Sequence, residues 1–200
     1  MSRKVTISRR TLETEIELTL NLDGVGKSQI STKIGFLDHM LESLAKHASF
    51  DLKIAATGDL KVDQHHLVED LGIILGEAIS ATLGNRRGIF RAGFWHGAFL
   101  MPMDETLAAA AIDFGGRPRL NFRVKFKKAQ VGELETDVIQ DFFEGFVSTA
   151  KCNLFIETRP ARSEHHRVEA IFKAVGRALR MAVERDSRNK NRVPSTKGKI

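Results

Sequence analysis

Two hundred residues with 42% hydrophobic content suit one globular domain or two small fused ones. The lone Cys152 excludes a disulfide framework and a Cys-ligated zinc site, and fits a reducing compartment. The formal charge of +6 is largely local, because Arg185, Arg188, Lys190, Arg192, Lys197 and Lys199 crowd the last sixteen residues. That tail carries no interleaved aromatics and no DNA or RNA module is recognisable, so no nucleic-acid partner is expected. Met1 to Arg10 is polar and strand-like rather than a signal peptide, and no apolar run approaches a membrane span, so a cytoplasmic protein without a membrane partner is expected.

Alternating apolar and polar residues predict strands over Lys4 to Ile7 and Glu15 to Leu22. Asp23-Gly24-Val25-Gly26 supplies the turn into a third over Ser28 to Ile34, and the three read as a meander. A helix follows over Leu37 to Ala48, with Leu37, Met40, Leu41 and Leu44 on one face; then come a strand over Asp51 to Ala56 and a helix from His65 to Leu83 that Gly84 ends. The second half repeats the order, with strands at Thr106 to Phe114 and Arg119 to Phe126, a helix from Asp137 to Lys151, a strand from Asn153 to Glu157 and a helix from His165 to Arg185. The halves read as a duplication, 1–88 and 89–186, followed by a basic C-terminal tail over 187–200. The expected fold class is α+β, a duplicated two-layer sandwich in which each half is an antiparallel or mixed sheet with two helices on one face.

One pattern occurs twice: His65-His66-Leu67-Val68-Glu69 and His165-His166-Arg167-Val168-Glu169. Four of the seven histidines sit in it, and a shuffled chain of this composition would show it about 0.02 times. A histidine pair at a helix start can simply cap backbone groups, but duplication favours metal binding. Successive helical side chains diverge by about 100°, so His65 shares a face with Glu69 while His66 points elsewhere, and each helix is expected to feed two ions. Imidazole and carboxylate without thiolate suit Mn, Fe, Co, Ni or Zn. The helix ahead of the first pair carries His39, and its counterpart in the second half carries Asp141, which is either a further ligand of harder character or a solvent-facing carboxylate.

The chain resembles the imidazoleglycerol-phosphate dehydratases, lyases of histidine biosynthesis, over nearly its whole length. The resemblance rests on Arg10-Thr11-Leu12-Glu13-Thr14, Gly35-Phe36-Leu37-Asp38-His39-Met40, both HHxxE elements, Pro102-Met103-Asp104-Glu105, Gly116-Arg117-Pro118, Phe172-Lys173-Ala174 and Pro194-Ser195-Thr196-Lys197-Gly198. It implies the ribosomal-protein-S5-domain-2-like fold, two Mn2+ per site (or other divalent transition metals), trimers completing the sites and a homo-oligomeric cage of 24 subunits. By position it implies His39, His65, His66, Glu69, His165, His166 and Glu169 as metal ligands, with Asp141 where the family usually has histidine. Gly115 replaces a usual serine, the stretch Phe94 to Met101 is longer than the family pattern, and Ala161-Arg162-Ser163-Glu164 occupies a loop that is usually glycine and asparagine.

The resemblance further implies a small phosphate substrate bearing an imidazole and a glycerol chain. Two metals on the ring nitrogens would stabilise an imidazolate, so that electron density expels the neighbouring hydroxyl. Glu13 matches the family's acid–base glutamate, although with Glu15 and Glu17 it also reads as one residue of a solvated strand face. His47, about two turns from His39, either lines the pocket or ends its helix. Arg91, Arg117, Lys173, Ser195 and Lys197 are the family-matched phosphate-binding candidates. Two other readings stay open: a diverged paralogue acting on another imidazole or phosphate ester, and a metal-binding cage without turnover.

Overall fold

The structure, a computed structural model, describes residues 3–90, 96–190, 192–193, 195 and 197–198. The first half runs β1 (Lys4–Arg10), β2 (Thr14–Asn21), β3 (Ser28–Ser31), α1 (Gly35–Ala48), β4 (Asp51–Gly58) and α2 (His65–Leu83). The second runs β5 (Ala98–Met103), β6 (Thr106–Asp113), β7 (Arg119–Arg123), a small hairpin β8 (Gln130–Val131) and β9 (Leu134–Glu135), α3 (Val138–Ala150), β10 (Asn153–Thr158) and α4 (Glu164–Ala182). Each half builds a mixed four-stranded sheet, ordered β1-β2-β4-β3 and β5-β6-β10-β7. The duplication is therefore visible strand for strand.

The three strands expected as a meander are not one. β3 leaves β2 and pairs with the far strand β4, in parallel, and β7 pairs in parallel with β10 in the same way. The segment between β2 and β3 is no hairpin turn, because the Asp51 carboxylate accepts from Val25 N and Lys27 N at 2.9 and 3.0 Å. A side chain at the start of β4 thus pulls the segment across the sheet.

Ile16, Leu18 and Leu20 of β2 and Leu52, Ile54 and Ala56 of β4 are buried, and the residues between them on β4 are exposed. This period of two gives the sheet one apolar face, which α1 and α2 cover; α3 and α4 cover the corresponding face of the second sheet. The helical layers then meet each other, α1 on α4 and α2 on α3, leaving the sheets outside. α2 and α3 approach closely because glycine faces backbone: a Cβ at Gly72 would lie 2.0 Å from Phe142 O, and one at Gly76 2.4 Å from Phe146 O. Among the described residues no helix is long and apolar enough to cross a membrane.

The β8–β9 hairpin, absent from the strands expected in the sequence, ties the helix starts together. Glu133 Oε1 accepts from Phe36 N at 3.0 Å at the first turn of α1, a favourable place for negative charge. Gln64, just ahead of α2, donates to Glu133 O at 2.5 Å and accepts from Glu135 N at 3.1 Å.

Candidate active site

The cross-half packing decides which histidines meet. α1 lies on α4, so His39 of the first half joins the HHxxE element of the second: His165 Nε2 and His39 Nε2 stand 3.4 and 3.9 Å from the same oxygen, Glu169 Oε2. One ligand atom from each of these three residues lies within 4.8 Å of the others. Donors bound about 2.0–2.2 Å from one ion are separated by roughly 3–4 Å, so this set fits a transition metal. Burial pushes the Glu169 carboxyl up, but the hydrogen bond and charge of Lys173, with His39 and His165, outweigh it and hold the group below its ordinary value. Lys173 Nζ is 2.7 Å from Glu169 Oε1.

α2 lies on α3, which brings Asp141 to the first HHxxE element. Here the arrangement differs. His65 Nε2 faces Glu69 Oε2 at 4.0 Å, as His165 faces Glu169, but Asp141 Oδ2 sits 3.0 Å from the opposite ring nitrogen, Nδ1. Asp141 therefore holds the ring of His65 rather than converging with its Nε2.

The second histidine of each pair turns away from the first, with ring planes 71° and 84° apart. Each is gripped at Nδ1 by a carboxylate to which the sequence assigned no role in the site: Asp59 Oδ2 at 3.0 Å for His66, and Glu105 Oε2 at 2.8 Å for His166. Asp59 raises the affinity of His66 for a proton, and the His166 ring, with Ser163 N–H, holds the Glu105 carboxyl down to about 2. With Nδ1 donating to the carboxylate, Nε2 keeps its lone pair for a ligand. Asp104 Oδ2 approaches His166 Nε2 at 3.5 Å, and Glu13 Oε2 approaches His66 Nδ1 at 3.8 Å.

The loop before α4 also gains a role, since Ser163 accepts from His166 N at 3.3 Å as the N-cap and donates its own N–H to Glu105 at 2.8 Å. The signal for Glu105 was present in the duplication, because it occupies in the second half the place of Glu13 in the first. No such signal marked Asp59.

The remaining candidates are dispersed. His47 Nδ1 donates to Ser43 O at 2.9 Å, and burial lowers the basicity of the ring. Its Cβ packs against Gly176 of α4, and the charges of Lys173, Arg177 and Glu169 act on its ring. Arg117 is exposed in the loop after β6, whereas Glu105 precedes that strand; the eight residues of β6, extended, put roughly 25 Å between the two ends. Ser195 and Lys197 lie in a tail turn, with Lys197 N donating to Ser195 Oγ at 3.2 Å. Arg91 lies outside the described residues.

A family model for imidazoleglycerol-phosphate dehydratase matches residues 32–179. The chain is 47% identical to the imidazoleglycerol-phosphate dehydratase of Nitrosomonas eutropha and 51% identical to that of Koribacter versatilis, each over 196 residues and 98% of both chains. A crystal structure of the Staphylococcus aureus dehydratase superposes with a TM-score of 0.80 at 33% identity, over 91% of this chain and 99% of that one. A Pyrococcus furiosus structure, in complex with (S)-C348, gives 0.79 at 34% identity, over 97% and 100%. Fold and relatives together define a dehydratase, a lyase that eliminates water. The chain belongs to the imidazoleglycerol-phosphate dehydratase family.

Proposed function

We propose that the protein eliminates water from imidazole glycerol phosphate to give imidazole acetol phosphate, a step of histidine biosynthesis, and that it does so with two divalent metal ions, Mn2+ first among them. The observation that carries the reading is the convergence of His39, His165 and Glu169 from opposite halves into one donor set. His65 and Glu69, with Asp141 on the ring of His65, form its counterpart. His66 and His166 present further imidazoles, each aimed by a carboxylate.

Held by His39, His165 and Glu169 and by His65 and Glu69, the ions would supply positive charge against the electron density that collects on the substrate's imidazole as the C–H proton leaves. The chain supplies the rest. Glu13 takes and returns the proton: its carboxylate stands beside His66, is half exposed to an incoming substrate, and is spared the two hydrogen bonds that commit Glu105. Lys173, beside Glu169, retains donor capacity for a phosphate oxygen, because an ammonium has three N–H groups.

Arg117 supports sites completed by a second copy of the chain, since it cannot reach the Glu105 end of its own sheet. Homo-oligomerisation, up to the 24 subunits implied by the resemblance, places such a residue at a neighbour's site. Ser195 and Lys197 offer a hydroxyl and an ammonium that suit a phosphate.

The test is direct assay of the purified, Mn2+-loaded protein for imidazole acetol phosphate. Absence of product would remove the dehydratase reading. Glu13→Gln should abolish turnover while leaving metal content and assembly intact, and retained turnover would take Glu13 out of the reaction.

A further inference from the structure

Asp70 follows Glu69 on α2, and its side chain turns into the protein, toward the sheet. Oδ1 accepts from Arg9 Nε at 2.8 Å and Oδ2 accepts from the Thr14 hydroxyl at 2.5 Å. Thr14 thereby has its proton assigned, so in its 3.1 Å contact with Thr11 Oγ1 the Thr11 hydroxyl is the donor. Thr11 Oγ1 in turn accepts the backbone N–H groups of Glu13 and Thr14 at 3.1 and 2.9 Å. A continuous, directed chain of hydrogen bonds thus runs from α2 to the peptide nitrogen of Glu13. On its other side the turn is held by Asp59 N, which donates to Glu13 O at 3.1 Å, while the Asp59 carboxylate grips His66.

The duplicated half is an internal control. Pairing of Arg10 with Glu15 in β1/β2 and of Pro102 with Leu107 in β5/β6 superimposes the two turns without a gap, Glu13 on Glu105 and Thr14 on Thr106. Alignment of the HHxxE elements sets Ala170 in the place of Asp70, and the strand register sets Met101 and Met103 in the places of Arg9 and Thr11. The whole tether is missing there. Thr106 Oγ1 is buried without a hydrogen-bond partner among the described residues, and the turn glutamate is fixed instead by its own carboxylate, on Ser163 N and His166. Where the backbone tether exists, the glutamate side chain is left 53% exposed; where it does not, the side chain is spent as the anchor and is 31% exposed.

We propose that Asp70 is a positioning residue for Glu13: acting through Thr14 and Thr11, it fixes the turn from its main chain so that the carboxylate is held in place and yet uncommitted. Glu105 does the opposite task in the second half, giving up its carboxylate to orient His166. The proposal rests on Glu13 being the proton carrier.

Full-length, Mn2+-loaded protein carrying Asp70→Ala or Thr14→Val should lose about 10- to 100-fold in kcat, the cost of misplacing a reacting group by about an ångström. KM and metal content should stay near native values, because neither residue is a ligand or a substrate contact. Thr14→Ser, which keeps the donor, should restore most of the rate. In a Glu13→Asp background, whose carboxylate is already withdrawn, Asp70→Ala should cost several-fold less than it does in the native background. The proposal is overturned if metal is lost in step with kcat, if Thr14→Ser is as impaired as Thr14→Val, or if the loss is the same in both backgrounds. Unchanged kcat in Glu13→Gln would instead sink the role of Glu13 itself, so the two failures are told apart.

Discussion

Asp141 Oδ2 lies 3.0 Å from His65 Nδ1, so a carboxylate of the second repeat fixes the leading imidazole of the first. The equivalent position of the first repeat holds His39, which points its Nε2 at Glu169 instead. Equivalent helices therefore deliver different chemistry to the two centres.

Asp141→Ala should weaken binding at the His65–Glu69 centre by about 10- to 100-fold, the usual effect of losing a carboxylate behind a ligating histidine, and should leave the His39–His165–Glu169 centre unaffected. Metal titration followed by elemental analysis reads this as one tight and one weakened equivalent of Mn2+. Loss of a full equivalent even at saturating metal would instead make Asp141 a direct ligand, and two tight equivalents would deny it any part.

The central helix crossing tolerates no added atom. Gly72→Ala would set a methyl group 2.0 Å from Phe142 O, forcing α2 and α3 apart. Overpacking of this kind costs about 1–3 kcal/mol, and at about 2–4 °C per kcal/mol for a chain of this size the melting temperature should fall visibly. Thermal denaturation checks it, with an unchanged midpoint as the contrary result.

Burial pushes the Cys152 thiol up to about 12 from an ordinary 9.0. The folded protein should accordingly resist alkylation by iodoacetamide at pH 8 and react fully in denaturant. The unfolded chain releases this proton above pH 9 while the folded chain keeps it, so the contribution of Cys152 to stability declines between about pH 9 and 12. A Cys152→Ala variant should show a shallower alkaline loss of stability over that window, and alkylation of the native protein at pH 8 would contradict the buried, protonated thiol.

Much of this arrangement is legible in the sequence. The helix from His65 to Leu83 is found residue for residue, because its apolar spacing and its Gly84 stop are local. The parallel placement of β3 is not, since it depends on Asp51 reaching back over some 25 residues to Val25 and Lys27. β5 escapes because Ala98–Met103 lacks alternation and contains Pro102, which suits an edge strand. Repetition marks the histidines and Glu169 as a set, yet which helix brings His39 to which pair is a matter of packing between halves. The small residues Gly72, Gly76, Gly145 and Gly176 are a trace of that packing in the chain itself.

Removal of residues 194–200 should raise KM for the phosphate substrate about tenfold or more, the cost of losing hydrogen bonds to a charged group, with kcat much less affected. Steady-state kinetics of the truncated protein decide it. An unchanged KM would exclude Ser195 and Lys197 from binding.

Within one repeat the two helices make no extensive contact, and the packing is α1 on α4 and α2 on α3. A solitary repeat would hold its histidine pair and its His39 or Asp141 position on helices that make no extensive contact, and could bring them together only by pairing with an identical copy. In the single chain the two repeats are joined, so they need not be identical. His39 and Asp141, or Asp70 and Ala170, are positions where a homodimer would have had to carry the same residue twice, and where the fused chain carries two.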